Sequence, residues 1–361
     1  MHASCAFTGV RNSPARGHRE CRQLVHHRIL IALALLTLAP ASTTAAAPVR
    51  IAGVDYLGDL PTLVAEDEDL FHAAGVDASV QYGASGKNNL KRLRAGEVDF
   101  ALMALTPLVL DHLTDDLPGQ PDDPVLLASV VHSARLNHVV TLPGRDVREA
   151  ADLAGRRVGL VEGTHAAFAW WEFTSFHGRD ADFAEVVPHE PQDLGPALIR
   201  GEVDAALMWE PWIARLVTER AASVRRLPHG GVYAAKWVLV TRRSTVSRQP
   251  ELCREILAAY QAAIHRIERK PEAMLRLHGR RAGVPVSRLQ ARWSGLDYDL
   301  HLDWSVISSL QLQFHWARRT GRVPADAAGD VLSLIEDGPL RRVAPASVGI
   351  PADGGRVGSM Q

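Results

Sequence analysis

The side chains of this chain that could do chemistry are thinly spread. Of its sixteen histidines, His132, His138, His165 and His189 lack the H-x3-H or HExxH spacing that aims two imidazoles at one metal ion. Paired loop histidines from different lobes are the metal alternative, and no metal site or cofactor is expected. Cys5 and Cys21 fall within the first 47 residues, leaving Cys253 alone. An internal disulfide and a CxxC-type zinc knuckle are thereby excluded from the remainder. Asp55, Asp59, Glu162 and Glu210 gather at or near loops, with Lys87 and Arg135 as the nearest cations. Four carboxylates repel a bare inorganic anion unless they turn away or pair with arginine. No nucleophile with a base stands in those loops, so catalysis is not expected. Trp209, in the turn WEPW, supplies a flat apolar wall with a polar tip. Such groups suit binding better than reaction.

A repeated unit must position them. Residues 93–107, LRAGEVDFALMALTP, recur 105 positions later as residues 198–212, LIRGEVDAALMWEPW. Each copy reads as a short helix, a glycine stop, an apolar strand and a Pro-containing turn. Two copies imply two similar lobes, and turns after equivalent strands face a common cleft in open α/β sheets. Asp99 and Asp204 are expected to stabilise the turn that opens each strand. Glu97 and Glu202 read as solvated, and Met103 and Met208 as core. Trp170 and Trp171 diverge around one helix, and core packing is their expected role.

Strands are expected over residues 49–55, 76–82, 98–104, 125–132, 138–142, 157–161, 186–189 and 237–241. Helices are expected over 61–75, with Pro61 in the first turn and Gly75 as stop, and over 87–95 and 166–176. Further helices are expected up to Gly201, capped by Asp193, and over 250–270, 305–320 and 328–335. Cys253 is placed on a surface-facing side of its helix, and residues 115–124 read as a surface loop.

The 361 residues are 47% apolar and 22% charged, enough for real cores. The first 47 differ: five arginines precede an apolar run at 29–39, and small residues follow at 41–47. That order is that of a cleaved secretory signal peptide, and eleven residues are too few to span a bilayer. Without this leader, 40 − 5 = 35 basic and 41 − 1 = 40 acidic residues remain, a formal charge of about −5. No basic block suits nucleic acid. The lobes are expected at 48–138 with 235–345, and at 139–234, with hinges near 137–143 and 231–241. A disordered tail is expected at 346–361.

From about Val49 to Pro345 the chain resembles a substrate-binding protein of an ABC importer, of the nitrate, sulfonate and taurine family. The matching pieces are IAGVDYLGDLP, GASG before a helix, GEVDFALMALTP, DLAGRRVGLVEGT, GEVDAALMWEP and LDWSVISSLQLQFHWARRTGRV. Their order and spacing carry the resemblance. It implies an α/β, two-lobed type II periplasmic-binding-protein fold, each lobe a mostly parallel sheet flanked by helices, with helices at the C-terminus. Carried over residue by residue, the resemblance implies ligand contacts at Tyr56, Gly58, Asp59, Ser85, Gly86 and Thr106 of the first lobe. In the second lobe it implies Gly163, Thr164, His165, Trp209 and Glu210. It further implies a monomeric periplasmic protein that hands a small molecule to a permease and its ATPase, or alternatively to a membrane sensor. Pyrimidine-forming enzymes share this fold and are the lesser alternative; they use an iron site, a Cys-rich motif and a sacrificial histidine, against which this chain offers Cys253 alone and, among its loop histidines, His165. A neutral or zwitterionic organic ligand, such as an amino-sulfonate or a heteroaromatic precursor, is expected over nitrate.

Overall fold

The two GEVD segments build the same local structure. Gly96 and Gly201 both take left-handed backbone, with φ of 70° and 79°, which glycine adopts without steric cost. The aspartate that follows clamps the first strand of its own lobe. The Arg50 amide donates to Asp99 Oδ2 at 3.0 Å and the Asp99 amide donates back to the Arg50 carbonyl at 2.8 Å. In the other copy, the Arg157 amide donates to Asp204 Oδ2 at 3.0 Å and the Asp204 amide to the Arg157 carbonyl at 2.8 Å.

This computed structural model describes residues 47–351, apart from 55, 116–118, 136, 181, 210–211, 221–222, 229–233 and 294. The strands are β1 (Val49–Val54), β2 (Ala78–Gly83), β3 (Phe100–Ala104), β4 (Pro124–Ser133), β5 (His138–Thr141) and β6 (Arg157–Leu160). They continue as β7 (Glu185–Pro188), β8 (Ala205–Met208), β9 (Arg225–Arg226), β10 (Ala235–Arg242) and β11 (Asp297–His301). One sheet has the order β11-β4-β10-β3-β1-β2 and the other β7-β6-β8-β5-β9. Each contains a parallel trio, β2-β1-β3 or β7-β6-β8, with an antiparallel strand laid on its repeat strand, β10 on β3 and β5 on β8. β4 of the first sheet is followed by β5 of the second, and β9 of the second by β10 of the first, so β5 and β10 lie inside the sheets rather than in connections. The repeat strands are buried along their whole length, as expected of strands covered on both faces.

The helices are α1 (Leu60–Asp67), α2 (Leu70–Ala73), α3 (Gly86–Arg94), α4 (Leu105–Thr114), α5 (His165–Phe176), α6 (Leu194–Arg200) and α7 (Trp212–Arg220). After β10 come α8 (Arg243–Arg248), α9 (Pro250–Arg269), α10 (Pro271–Ala282), α11 (Val286–Trp293), α12 (Trp304–Arg319) and α13 (Gly338–Val343). Among the described residues, no helix is long and apolar enough to cross a membrane. Trp170 is core, stacked on Phe173 and Phe183, and Met103 and Met208 are buried.

Several expectations need correction. The helix expected over 61–75 breaks into α1 and α2 around Asp69, whose φ is 55°. The turn expected at Thr106-Pro107 is the first turn of α4, where proline lacks only a donor the helix does not use. Asp193 stands at the N-cap of α6 but its side chain makes no capping hydrogen bond. The helical pattern at 328–335 yields one 3-10 turn, Val331–Leu334. Cys253 faces the core of α9, fully buried, not the surface. The tail does not begin at 346: Leu302 pairs with Val348 and Ile350 is buried. The signal-peptide expectation at 1–46 and the tail beyond 351 lie outside the described residues.

Candidate ligand-binding slot

β1, β3 and β10 carry their ends to the line where the two sheets meet, and the N-terminus of α5 arrives there from the second lobe. Between them is a slot enclosing about 430 Å³, solvent at its mouth included. Its interior has room for only a few water-sized groups. The wall is aromatic: Tyr56, Trp209 and Trp237, with Tyr56 and Trp237 tilted together at 5.6 Å. The polar groups are Ser85, Lys87, Asn137, Thr164 and His165, contributed by both lobes and by the first crossover.

Each polar group is held by its element. Ser85 caps α3, its hydroxyl accepting from the Asn88 amide at 3.3 Å. Thr164 caps α5, accepting from the Ala166 amide at 3.2 Å while donating to the Val161 carbonyl at 2.7 Å. The positive end of the α5 dipole therefore opens on the slot, favouring an anionic or electron-rich group. Burial pushes the His165 imidazole down to about 4, so it is neutral at physiological pH. The Tyr56 hydroxyl is buried without a hydrogen-bond partner, and burial drives its pKa well up. A buried polar atom in this position is one that a ligand can satisfy.

Of the residues implied by the resemblance, Tyr56, Ser85, Gly86, Thr164, His165 and Trp209 line the slot. Gly58 does not; it lies under the Tyr56 ring, where any side chain would collide with that ring. Asp59 turns inward and accepts from the Val54 amide at 2.6 Å. Thr106 is fully buried and donates to Gln313 at 2.7 Å. Gly163 faces the neighbouring open groove beside Lys87. Asp55 and Glu210 lie outside the described residues. The slot also takes Trp237, Asn137 and Pro107, which are not among the ligand contacts that the resemblance implies. Trp237 stands opposite Ala104 at the end of β3, a pairing between segments far apart in sequence.

The charges differ from the sequence picture. Glu162 is paired with Arg322, one contact at 3.3 Å and another shorter, and Asp59 is engaged with backbone. Arg135 lies against Gly295 and does not line the slot. Lys87 does line it, its ammonium donating to the Glu162 carbonyl at 2.9 Å. The slot therefore faces one ammonium and a helix N-terminus, and two of the four feared carboxylates are neutralised or turned away.

The sequence profile of a family described as NMT1/THI5 like matches residues 59–274. A Brucella abortus (strain 2308) protein, provisionally named a binding protein, is 23% identical over 239 residues, 65% of this chain and 72% of the relative. Among solved structures, the alkanesulfonate-binding protein SsuA from Xanthomonas axonopodis pv. citri, bound to MOPS, superposes with a TM-score of 0.65 at 17% identity. That match covers 83% of this chain and 97% of the other. The periplasmic nitrate-binding protein NrtA from Synechocystis PCC 6803 superposes with a TM-score of 0.67 at 16% identity, covering 85% and 90%. The fold also hosts catalysis: the desulfurization enzyme DSZB superposes with a TM-score of 0.58 at 16% identity, covering 82% and 99%.

Proposed function

The chain belongs to the NMT1/THI5-like family, and on that premise we propose that it is an exported solute-binding protein that closes two lobes around a small organic acid and passes it to an ABC permease. The observation that carries this reading is the slot itself. It is shared by both lobes, walled by Tyr56, Trp209 and Trp237, and furnished with Lys87 and the N-terminus of α5. Aromatic walls favour an organic body over a bare ion. One ammonium and one helix N-terminus favour a single acidic group at one end. An organic sulfonate or carboxylate satisfies both demands, and an amino-sulfonate remains within this class. The engagement of Asp59 and Glu162 weakens the sequence-level argument against an anion, while the apolar walls still argue against nitrate or bicarbonate.

Binding is preferred over catalysis on chemical grounds. The one cysteine of the described residues, Cys253, is buried in α9 with its thiol pushed up to about 12, so it supplies no thiolate nucleophile at neutral pH. The serine and threonine hydroxyls of the slot cap helices.

A thermal-shift screen of the purified protein tests the ligand class. Organic sulfonates and carboxylates should raise the melting temperature, and nitrate and bicarbonate should not. Stabilisation by the inorganic anions alone would remove the organic-acid assignment. A permease and ATPase encoded beside this chain would support delivery; a membrane sensor in their place would favour signalling.

A further inference from the structure

We propose that His132, Asp299 and His301 form a binding site for a divalent transition-metal ion, Zn²⁺ being the best fit, at the β4–β11 edge of the first sheet. No metal was expected from sequence, because these residues share no local motif and meet only when β11 pairs with β4. Asp297 pairs with His132 and Tyr298 with Val131; the register then slips by one, setting His301 opposite Ser129. Alternation along β11 puts Asp297 and Asp299 on one face. The slip brings the His301 ring edge-on to His132, 5.6 Å between centroids at 88°.

The donor atoms converge. His132 Nδ1 lies 3.2 Å from Asp299 Oδ1, and His301 Nδ1 lies 3.0 Å from Asp299 Oδ2. Both Nδ1 atoms are buried, each faces an Asp299 carboxylate oxygen, and neither meets the geometry of a hydrogen bond. One ligand atom from each of the three residues falls within 4.8 Å of the others. Zinc–nitrogen and zinc–oxygen bonds of about 2.0–2.2 Å place neighbouring tetrahedral ligands about 3.3–3.5 Å apart. The two histidine–aspartate spacings lie within a few tenths of an ångström of that geometry, and the three donors lie close enough together to close around one ion by side-chain adjustment.

The surroundings fit a metal better than a simple ion pair. Asp297 Oδ2 lies 3.6 Å from His132 Nε2, the place of the carboxylate that orients a metal-bound imidazole. His301 is buried while Asp299 is half exposed, which leaves an entry path and a position for water. Two neutral imidazoles and one carboxylate are a borderline donor set suited to Zn²⁺ and ill suited to Mg²⁺ or Ca²⁺. A neighbouring cation, Lys236, donates to the Ser309 hydroxyl at 3.2 Å. A bound ion would tie the edge strand β11 to β4, the strand that runs into the first crossover.

Calorimetric titration of the untagged, chelator-stripped full chain with ZnCl₂ tests this. One tight site is expected, weakened at least 100-fold by His301→Gln and by Asp299→Asn, about tenfold by Asp297→Asn, and not at all by the exposed His72→Gln. Co²⁺ titrated into the wild-type chain should give the intense visible absorption of a tetrahedral site, a readout that stands even if the His301 variant does not fold. Zn²⁺ binding that is absent, or that survives unchanged in folded His301→Gln and Asp299→Asn, would overturn the proposal. So would a Co²⁺ spectrum of octahedral type.

Discussion

At the scale of single residues, Tyr56 and His165 make opposite demands on the slot. The Tyr56 hydroxyl is buried without a partner, so the empty protein gains nothing from it and bears its desolvation. Tyr56→Phe should therefore leave the melting temperature unchanged or raise it, while weakening ligand affinity by about 1 kcal/mol, roughly fivefold. Calorimetry beside thermal melting separates the two effects. His165 is buried and held neutral, its pKa about 4 by burial alone, whereas an unfolded histidine takes its proton near pH 6.5. Between those values the unfolded chain binds the proton and the folded chain does not. Stability from this residue is thus complete above about pH 6.5 and lost as pH falls towards about 4, by about 3 kcal/mol at most. His165→Gln, which cannot titrate, should flatten the fall in denaturant midpoint across that window. An identical pH dependence in the variant would assign the acid sensitivity to other groups.

At the scale of elements, the repeated aspartates are the joints of each lobe. Asp99 accepts from the Arg50 amide and from the Arg50 and Arg242 guanidinium groups. Asp204 holds the Arg157 amide at 3.0 Å, with Arg157 and Arg156 guanidinium nitrogens farther away at 3.8 and 4.0 Å. Asp99→Asn should therefore cost more stability than Asp204→Asn in urea titration, about 2–3 kcal/mol against about 1; the reverse order would show that the second copy carries the tighter joint. These joints were legible because a glycine, an acid and an unbroken apolar run say helix end, clamp and buried strand without reference to anything distant. Tyr56, Ser85, Gly86, Thr164, His165 and Trp209 came from the resemblance, and they line one slot because each follows or caps an element of that kind. Thr106, also implied by the resemblance, turns to Gln313 far along the chain on α12, and Pro107 looked like a turn while serving in the first turn of a helix. Cys253 was put on the surface because α9 buries a broader face than its most regular apolar positions describe. His132, Asp299 and His301 carry no local signal, since a one-residue slip between distant strands brings them together.

At the scale of the molecule, the lobes meet closed. Lys87, on α3, donates to the Glu162 carbonyl, and Arg322, beyond α12, pairs with the Glu162 carboxylate. Phe168 of α5 meets Trp316 of α12 edge-on at 5.3 Å. We propose that these contacts part to admit a ligand, the lobes hinging about the two crossovers between the sheets. Glu162→Gln keeps the carbonyl and removes the ion pair, so it should shift the empty protein towards an open form. Small-angle scattering should then show a larger radius of gyration without ligand, and affinity should fall several-fold; an unchanged radius would mean the pair does not latch the lobes. The central claim is that this slot captures an organic acid against its aromatic wall. Its most direct test is calorimetric titration of the wild-type and Trp209→Ala proteins with the organic sulfonate or carboxylate that stabilises most in the screen. The account predicts one site per chain in the wild type, weakened by about 2 kcal/mol or more, roughly 30-fold, in the variant, with the empty variant melting close to wild type. Equal affinity in both proteins, or binding of nitrate with no organic acid bound, would contradict it.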